Sequence, residues 1–199
     1  MKEYENTRLL SAPVIRDLQS GDCREGARLL AACFSDPWSR EALEEACGME
    51  DYLQLGAFLP AEIPEEADRG QENPGGEKPK VPCSLDKAPE GEMQDPILVG
   101  YGGLKMVLDE ADVTNICVHP DYRRLGIGRD LLEAMLAMAG KRGIRRIYLE
   151  VRVSNQAAIH MYEEAGFKET GRRRGFYEKP REDALLMIWD QEKEEGPRD

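Results

Sequence analysis

Apolar residues recur along this chain with two periods, and the switches between them mark out its elements. A first strand is predicted over Leu9–Ile15, where a short apolar run dominates. Asp22 is placed to cap a helix running to about Cys33, with Ala27, Leu30 and Ala31 on one face. Asp36-Pro37-Trp38-Ser39 reads as a turn, and Ser39 opens a second helix that ends near Gly48. Tyr52–Leu59 reads as a strand, as do Ile97–Leu104 and Ala111–Val118. Ile127, Leu131, Met135 and Met138 then recur at helical spacing, and Lys141-Arg142-Gly143 closes that helix with the basic residues and glycine that helix ends prefer. Arg146–Val153 alternates as a strand. Asn155–Ala165 reads as a helix stopped by Gly166, and Phe167–Arg172 and Ala184–Trp189 as the last two strands.

The pattern breaks once. From Pro60 to Pro96 there are seven prolines, many acidic residues and few apolar ones. Such a segment buries too little apolar surface to offset its ordering entropy, so a mobile insertion is expected. Strand-like runs at both ends predict that it joins two adjacent antiparallel strands. It serves either as a passive surface insertion or as a regulatory or partner-binding segment. The element order β-α-α-β-β-β-α-β-α-β-β contains one strand-helix-strand unit. That unit implies a parallel, right-handed crossover within a mostly antiparallel sheet, hence an α+β or mixed α/β class.

Length and charge narrow the picture. The 199 residues suit one domain, with a core over about residues 8–190 and a charged tail over 191–199. No run of roughly 18 apolar residues is present. The segment Met1–Leu10 is charged and lacks an apolar signal core, so no membrane association and a cytoplasmic location are expected. The net charge of -12 argues against direct nucleic-acid binding and favours a basic partner. Five cysteines, an odd number without C-x-x-C spacing, argue against a disulfide framework or a zinc site and predict free thiols; no metal is expected.

Against that acidic background stands Arg123-Arg124-Leu125-Gly126-Ile127-Gly128, between a strand and a helix, with Arg129 next. Helix N-termini carry about half a positive charge and free N–H groups, and glycines let an anion approach the backbone. This turn is therefore a candidate phosphate cradle. It does not fit the dinucleotide fingerprint, because its pattern is R-x-x-G-x-G after a fourth strand.

Asn115 to Gly128, Leu149-Glu150-Val151-Arg152-Val153-Ser154-Asn155, Ala157 to Phe167, Arg181-Glu182-Asp183-Ala184 and Asp36-Pro37-Trp38-Ser39 together resemble the GCN5-related N-acetyltransferases. Within that superfamily they look most like the RimI-type ribosomal-protein alanine N-acetyltransferases. The resemblance implies the GNAT fold: a central, twisted, mostly antiparallel sheet with helices on both faces and a parallel βαβ unit that binds acetyl-CoA. It implies that Ile116, Cys117 and Val118 present backbone to the pantetheine arm, with the Val118 N–H facing the thioester oxygen. Arg123, Arg124, Leu125, Gly126, Ile127, Gly128 and Arg129 would hold the pyrophosphate, and Asn155 would contact the cofactor or simply cap its helix. Glu150 would be the general base, or alternatively an exposed strand-end glutamate or a salt-bridge partner. Tyr162 would be the general acid, or alternatively a half-buried helix aromatic.

Cys117 is a nucleophile on chemistry alone, but the resemblance implies direct transfer, with only its backbone used. His119 and His160 are expected to be structural or surface residues. Trp38 and an Arg172–Tyr177 loop are expected to border the acceptor groove. The implied acceptor is a basic protein N-terminus, that of a ribosomal protein, and the protein a monomer. A small amine or lysine acceptor, and a non-catalytic acyl-CoA-binding role, remain as alternatives.

Overall fold

The computed structural model describes residues 12–60 and 96–191. The expected insertion, apart from its end residues Pro60 and Pro96, lies outside the described residues, as do the tail beyond Gln191 and the start of the predicted first strand. The elements are β1 (Val14–Asp17), α1 (Cys23–Cys33), α2 (Arg40–Cys47), β2 (Tyr52–Leu59), β3 (Ile97–Val107), β4 (Glu110–Val118), α3 (Ile127–Lys141), β5 (Arg146–Arg152), α4 (Gln156–Glu164), β6 (Lys168–Glu178) and β7 (Arg181–Asp190). They form one sheet in the order β1-β2-β3-β4-β5-β7-β6, antiparallel except between β4 and β5.

Two corrections concern the start of the fold. β1 pairs with β2 from Val14 to Asp17, ending two residues beyond Ile15, where the apolar run predicts its end. Asp22 does not cap α1 with its side chain. Its carboxylate instead accepts from Gln19 N at 2.8 Å and from both terminal nitrogens of Arg16 at 2.7 and 3.0 Å. A 3-10 turn over Ser20–Asp22 leads into α1, and that turns its buried face onto Cys23, Gly26, Leu29 and Leu30 and leaves Ala31 exposed. Ser39 does cap α2, accepting from Ala42 N at 3.2 Å.

Crossover handedness decides which face each helix covers. β4 leads to β5 through α3, and β5 leads to the parallel strand β6 through α4, in the same direction along the sheet. Right-handed crossovers therefore put α3 and α4 on one face. Ile127, Leu131 and Met135 of α3 and Ile159 and Tyr162 of α4 share one core with Leu55, Val151 and Met187 of the sheet. On the other face Leu29 and Leu30 of α1 and Leu43 of α2 pack with Phe58, Tyr101 and Cys117.

Gly100 sets how closely α3 can approach. A Cβ there would stand 2.8 Å from Leu131 Cδ1, 3.1 Å from Ile127 Cγ2 and 3.2 Å from Ala57 Cβ. Gly100→Val should overpack this contact by about 1–3 kcal/mol and lower the melting temperature by roughly 2–12 °C. Thermal unfolding followed by circular dichroism checks this, and an unchanged midpoint would show that α3 is free to retreat.

Candidate active site

β4 and β5 pair at only three positions, Glu110 with Arg146, Ala111 with Ile147 and Asp112 with Tyr148. β4 then continues to Val118 and β5 to Arg152 without a shared register. Thr114 is left out of the pairing with β3, between Val113 opposite Leu104 and Asn115 opposite Gly103. A bulge of this kind bends its strand and increases its twist. The parted strands open into a cavity of about 730 Å³, within the roughly 300–1,000 Å³ of small-molecule sites. Ile116, Cys117 and Val118 form one wall, Arg123, Arg124 and Gly126 to Arg129 the second, and Asn155 and Tyr162 the third.

The second wall has the geometry of an anion cradle. α3 and α4 each follow a strand whose C-terminal end lies at the gap, so both helix N-termini, with their free N–H groups, point there. Arg124 and Gly126 adopt left-handed backbone, with φ of 63° and 87°. Switching hand within a turn directs successive N–H groups into one concavity. A Cβ on Gly126 would meet nothing within 4 Å, so the space beside it is open to a ligand.

Gly128 has a different reason. Its Cβ would lie 3.3 Å from Met161 Sδ and 3.6 Å from Val118 Cγ2, so it lets α3 come close to α4 and β4. Ile127 buries its side chain in the core and lines the cavity, whereas Leu125 half-buries its own and does not line it. Arg123 Nε donates to the Val118 carbonyl at 3.1 Å. Arg129 is ion-paired with Glu164, with which a phosphate would have to compete. Asn155 both caps α4, accepting from Ala158 N at 3.3 Å, and lines the cavity.

Tyr162 reaches the cavity from the core. Burial, with a smaller contribution from nearby Tyr177, pushes its phenol well above the ordinary value, so it stays protonated as a donor. Glu150 is elsewhere. On β5, Ile147, Leu149 and Val151 are buried, so Glu150 alternates to the opposite face and does not line the cavity that holds Tyr162. Its carboxylate pairs with Arg173 Nη1 at 3.2 Å, and its carbonyl accepts from Tyr177 Oη at 3.2 Å.

Arg172–Tyr177, expected as a loop, is part of β6. A register irregularity between Arg173 and Tyr177 curls that strand over β7 toward β5. Arg152 stacks 4.1 Å above the Tyr177 ring and bonds Glu182 at 3.1 Å. Arg173 falls in the segment expected to border the acceptor groove, but its pairing with Glu150 and the stacking of Arg152 on Tyr177 depend on the β6 register and were not legible in the sequence. Trp38 packs edge-on against Tyr52 and lines a separate shallow groove along α2. His119 Nδ1 accepts from Asp121 N at 3.4 Å, and exposed His160 lies 3.5 Å from Glu164.

The fold agrees with comparison to known proteins. The Acetyltransferase (GNAT) family matches residues 25–167. This chain belongs to that family. It is 47% identical over 92 residues to the [ribosomal protein bS18]-alanine N-acetyltransferase of Escherichia coli (strain K12), a match covering 45% of this chain and 62% of the relative. The chain thus spans less than two thirds of the length of that curated relative. A crystal structure of the ribosomal-protein-S18-alanine N-acetyltransferase from Escherichia coli is similar with a TM-score of 0.66 and 28% identity, covering 94% of this chain and 99% of that one. The crystal structure of the NatC complex bound to Gag peptide and CoA contains a chain of the same fold, with a TM-score of 0.64 and 20% identity, covering 92% of this chain and 100% of that one. The RimI-type resemblance drawn from the motifs and the GNAT architecture are both borne out. Among the described residues no helix is long and apolar enough to cross a membrane.

The open space and positive φ at Gly126 generate a specific expectation. Gly126→Val should weaken acetyl-CoA binding at least about tenfold, because a β-branched residue is strained at this φ and its side chain fills the open side of the cradle. Isothermal titration calorimetry on the folded variant checks this, and unchanged affinity would remove the turn from the binding site.

Proposed function

We propose that this chain is an acetyl-CoA-dependent N-acetyltransferase that acts in the cytoplasm on the α-amine of a basic protein N-terminus, most specifically the N-terminal alanine of a small-subunit ribosomal protein. One observation carries the reading: the free edge of β4, the anion cradle and the Tyr162 phenol line a single cavity. Two converging helix N-termini and Arg123, Arg124 and Arg129 suit a phosphorylated carrier, and the unpaired edge of β4 suits an amide-bearing arm lying as an added strand. Acetyl-CoA would supply an acyl group on a thiol leaving group.

The chain's own groups divide the remaining work. An α-amine, with an ordinary pKa of about 7.7–8.0 against about 10.4 for lysine, needs only a modest base. Glu150, on the far side of the parted strands, takes that proton directly or through one water. The arriving ammonium replaces the Arg173 guanidinium as its partner. Tyr162, held protonated by burial, donates to the departing sulfur. The Val118 N–H is the donor proposed for the developing oxyanion. Asn155 fixes the start of α4, and with it the height of Tyr162 two turns later.

Glu150→Gln should lower kcat by about 10²–10⁴ at neutral pH while leaving acetyl-CoA affinity nearly unchanged. Tyr162→Phe should lower kcat with little change in KM for the acceptor. Steady-state kinetics with an alanine-starting basic peptide measure both, and loss of cofactor affinity in Glu150→Gln would make Glu150 structural. The same peptide and its α-N-blocked twin, read by mass spectrometry, test the acceptor. Acetylation of the free peptide alone supports the reading, whereas equal modification of both moves the acceptor to lysine.

A further inference from the structure

Four side-chain polar atoms among the described residues are shielded from solvent and have no hydrogen-bond partner: Gln54 Nε2, Tyr101 Oη, Thr114 Oγ1 and Asn115 Oδ1. They are not scattered. Gln54 of β2 stands opposite Gly103 of β3, and Gly103 stands opposite Asn115 of β4. Thr114 is the residue bulged out beside Asn115. Tyr101 lies two residues before Gly103, and its phenol reaches along the strand. A Cβ on Gly103 would stand 2.6 Å from Thr114 Oγ1 and 2.8 Å from Tyr101 Oη, so glycine leaves the place that both hydroxyls occupy.

The row lies on the face that α1 and α2 cover. The free thiol of Cys47, at the end of α2, donates to Gln54 Oε1 at 3.5 Å. Tyr101 and Cys117 belong to the core under these helices, and Asn115, two residues before Cys117, shares its side of the strand. Glu150 faces the same way, because Leu149 and Val151 turn into the core under α3 and α4. Its height matches as well. Asp112 stands opposite Tyr148. Continuing from there with Thr114 looped out, Asn115 comes level with Glu150 across the gap between the parted strands. The polar row therefore ends facing the carboxylate, and Asn115, half-buried as a residue, stands at its open end.

Buried polar groups without a partner are rare and costly, and ordered water satisfies them where several converge. We propose that Asn115 is a positioning residue for the proton transfer to Glu150, its Oδ1 accepting a hydrogen bond from the water that bridges the two. This rests on the acyl-transfer reading, in which Glu150 is the base. A relay water must receive a proton from the amine while its own hydrogens point at two acceptors. Asn115 Oδ1 and the Glu150 carboxylate, facing each other across the gap, are such a pair. The ammonium N–H bond breaks and its proton passes to the water, which gives one of its own to a Glu150 oxygen. The nitrogen keeps the electron pair that attacks the thioester carbonyl. A neutral amide oxygen only accepts, so Asn115 holds the water without competing for the proton. The Thr114 and Tyr101 hydroxyls, which donate as well as accept, extend the row behind it.

Steady-state kinetics of the full chain on the alanine-starting basic peptide, at about pH 7 and about pH 9.5, bracket the ordinary α-amine pKa of about 7.7–8.0. Asn115→Leu keeps the side-chain size and removes the acceptor. It should lower kcat about tenfold at the lower pH and less than about twofold at the higher, where the amine arrives neutral. KM for the peptide and affinity for acetyl-CoA should stay within about twofold. Asn115→Asp, which keeps the oxygen in place, should retain kcat. In a Glu150→Gln background Asn115→Leu should add nothing, because two residues that share one water are not additive. Should Asn115→Leu fail to fold, Asn115→Ala and Asn115→Asp carry the same comparison. An equal loss at both pH values, a loss that adds in full to that of Glu150→Gln, or an unchanged kcat beside a slowed Glu150→Gln would each overturn the proposal. Unchanged kcat in Glu150→Gln itself would overturn the base assignment beneath it, and the proposal with it.

Discussion

The parting of β4 from β5 is the constraint on which the site depends. Parallel strands must be joined by a crossover, and here the crossover is α3. Had the two strands stayed paired to their ends, the sheet would be continuous and α3 would start over a closed surface. They separate after Asp112 and Tyr148, so β4 keeps one edge of its backbone free while β3 satisfies the other. A free backbone edge demands a partner. The helices complete the demand, because each starts at the C-terminal end of a separating strand and sends its positive pole into the gap. Ligands of open α/β sheets collect at such points for the same topological reason.

Packing keeps that geometry rigid. The core under α3 and α4 holds the parted strands from below through Ile127, Leu131, Ile159 and Tyr162. Gly100 and Gly128 remove the side chains that would otherwise lift α3 from the sheet and from α4. Tyr162 sits 5.6 Å from Phe167 between ring centroids, so the phenol is fixed by the same core that supports the cradle. A site built on helix starts and a strand edge inherits the stiffness of these elements, and proximity effects in catalysis depend on that stiffness.

Much of this was legible in the chain, and the parts that were not share a cause. Ser39 as a cap, Gly126 at a left-handed turn and Asn155 opening α4 are local facts, decided by residues within one turn. The opposite alternation of Glu150 against Leu149 and Val151 follows from period two alone. Asp22 was misjudged because a tertiary partner, Arg16, competes for its carboxylate. The Arg172–Tyr177 segment looked irregular in sequence because its bulged register interrupts the alternation, although it pairs with β7. The contact of Cys23 with Cys47 was invisible for a similar reason: 24 positions separate them, and only the packing of α1 on α2 brings their sulfurs to 3.6 Å.

The net charge of -12 says little about where either substrate would sit. An anionic carrier and a cationic amine need opposite fields, and a single uniform surface cannot supply both. The parted sheet separates them. Arg123, Arg124 and Arg129 gather at the helix starts on the cavity side, whereas Glu150 and Glu182 lie along β5 and β7. Two arginines on that second side are already engaged: Arg173 by Glu150, and Arg152 by Glu182 and the Tyr177 ring. Exposed ion pairs are worth only about 0–1 kcal/mol and exchange partners readily. The Arg173–Glu150 pair therefore keeps the carboxylate oriented without committing it, and a cationic amine can take the place of the guanidinium at little cost.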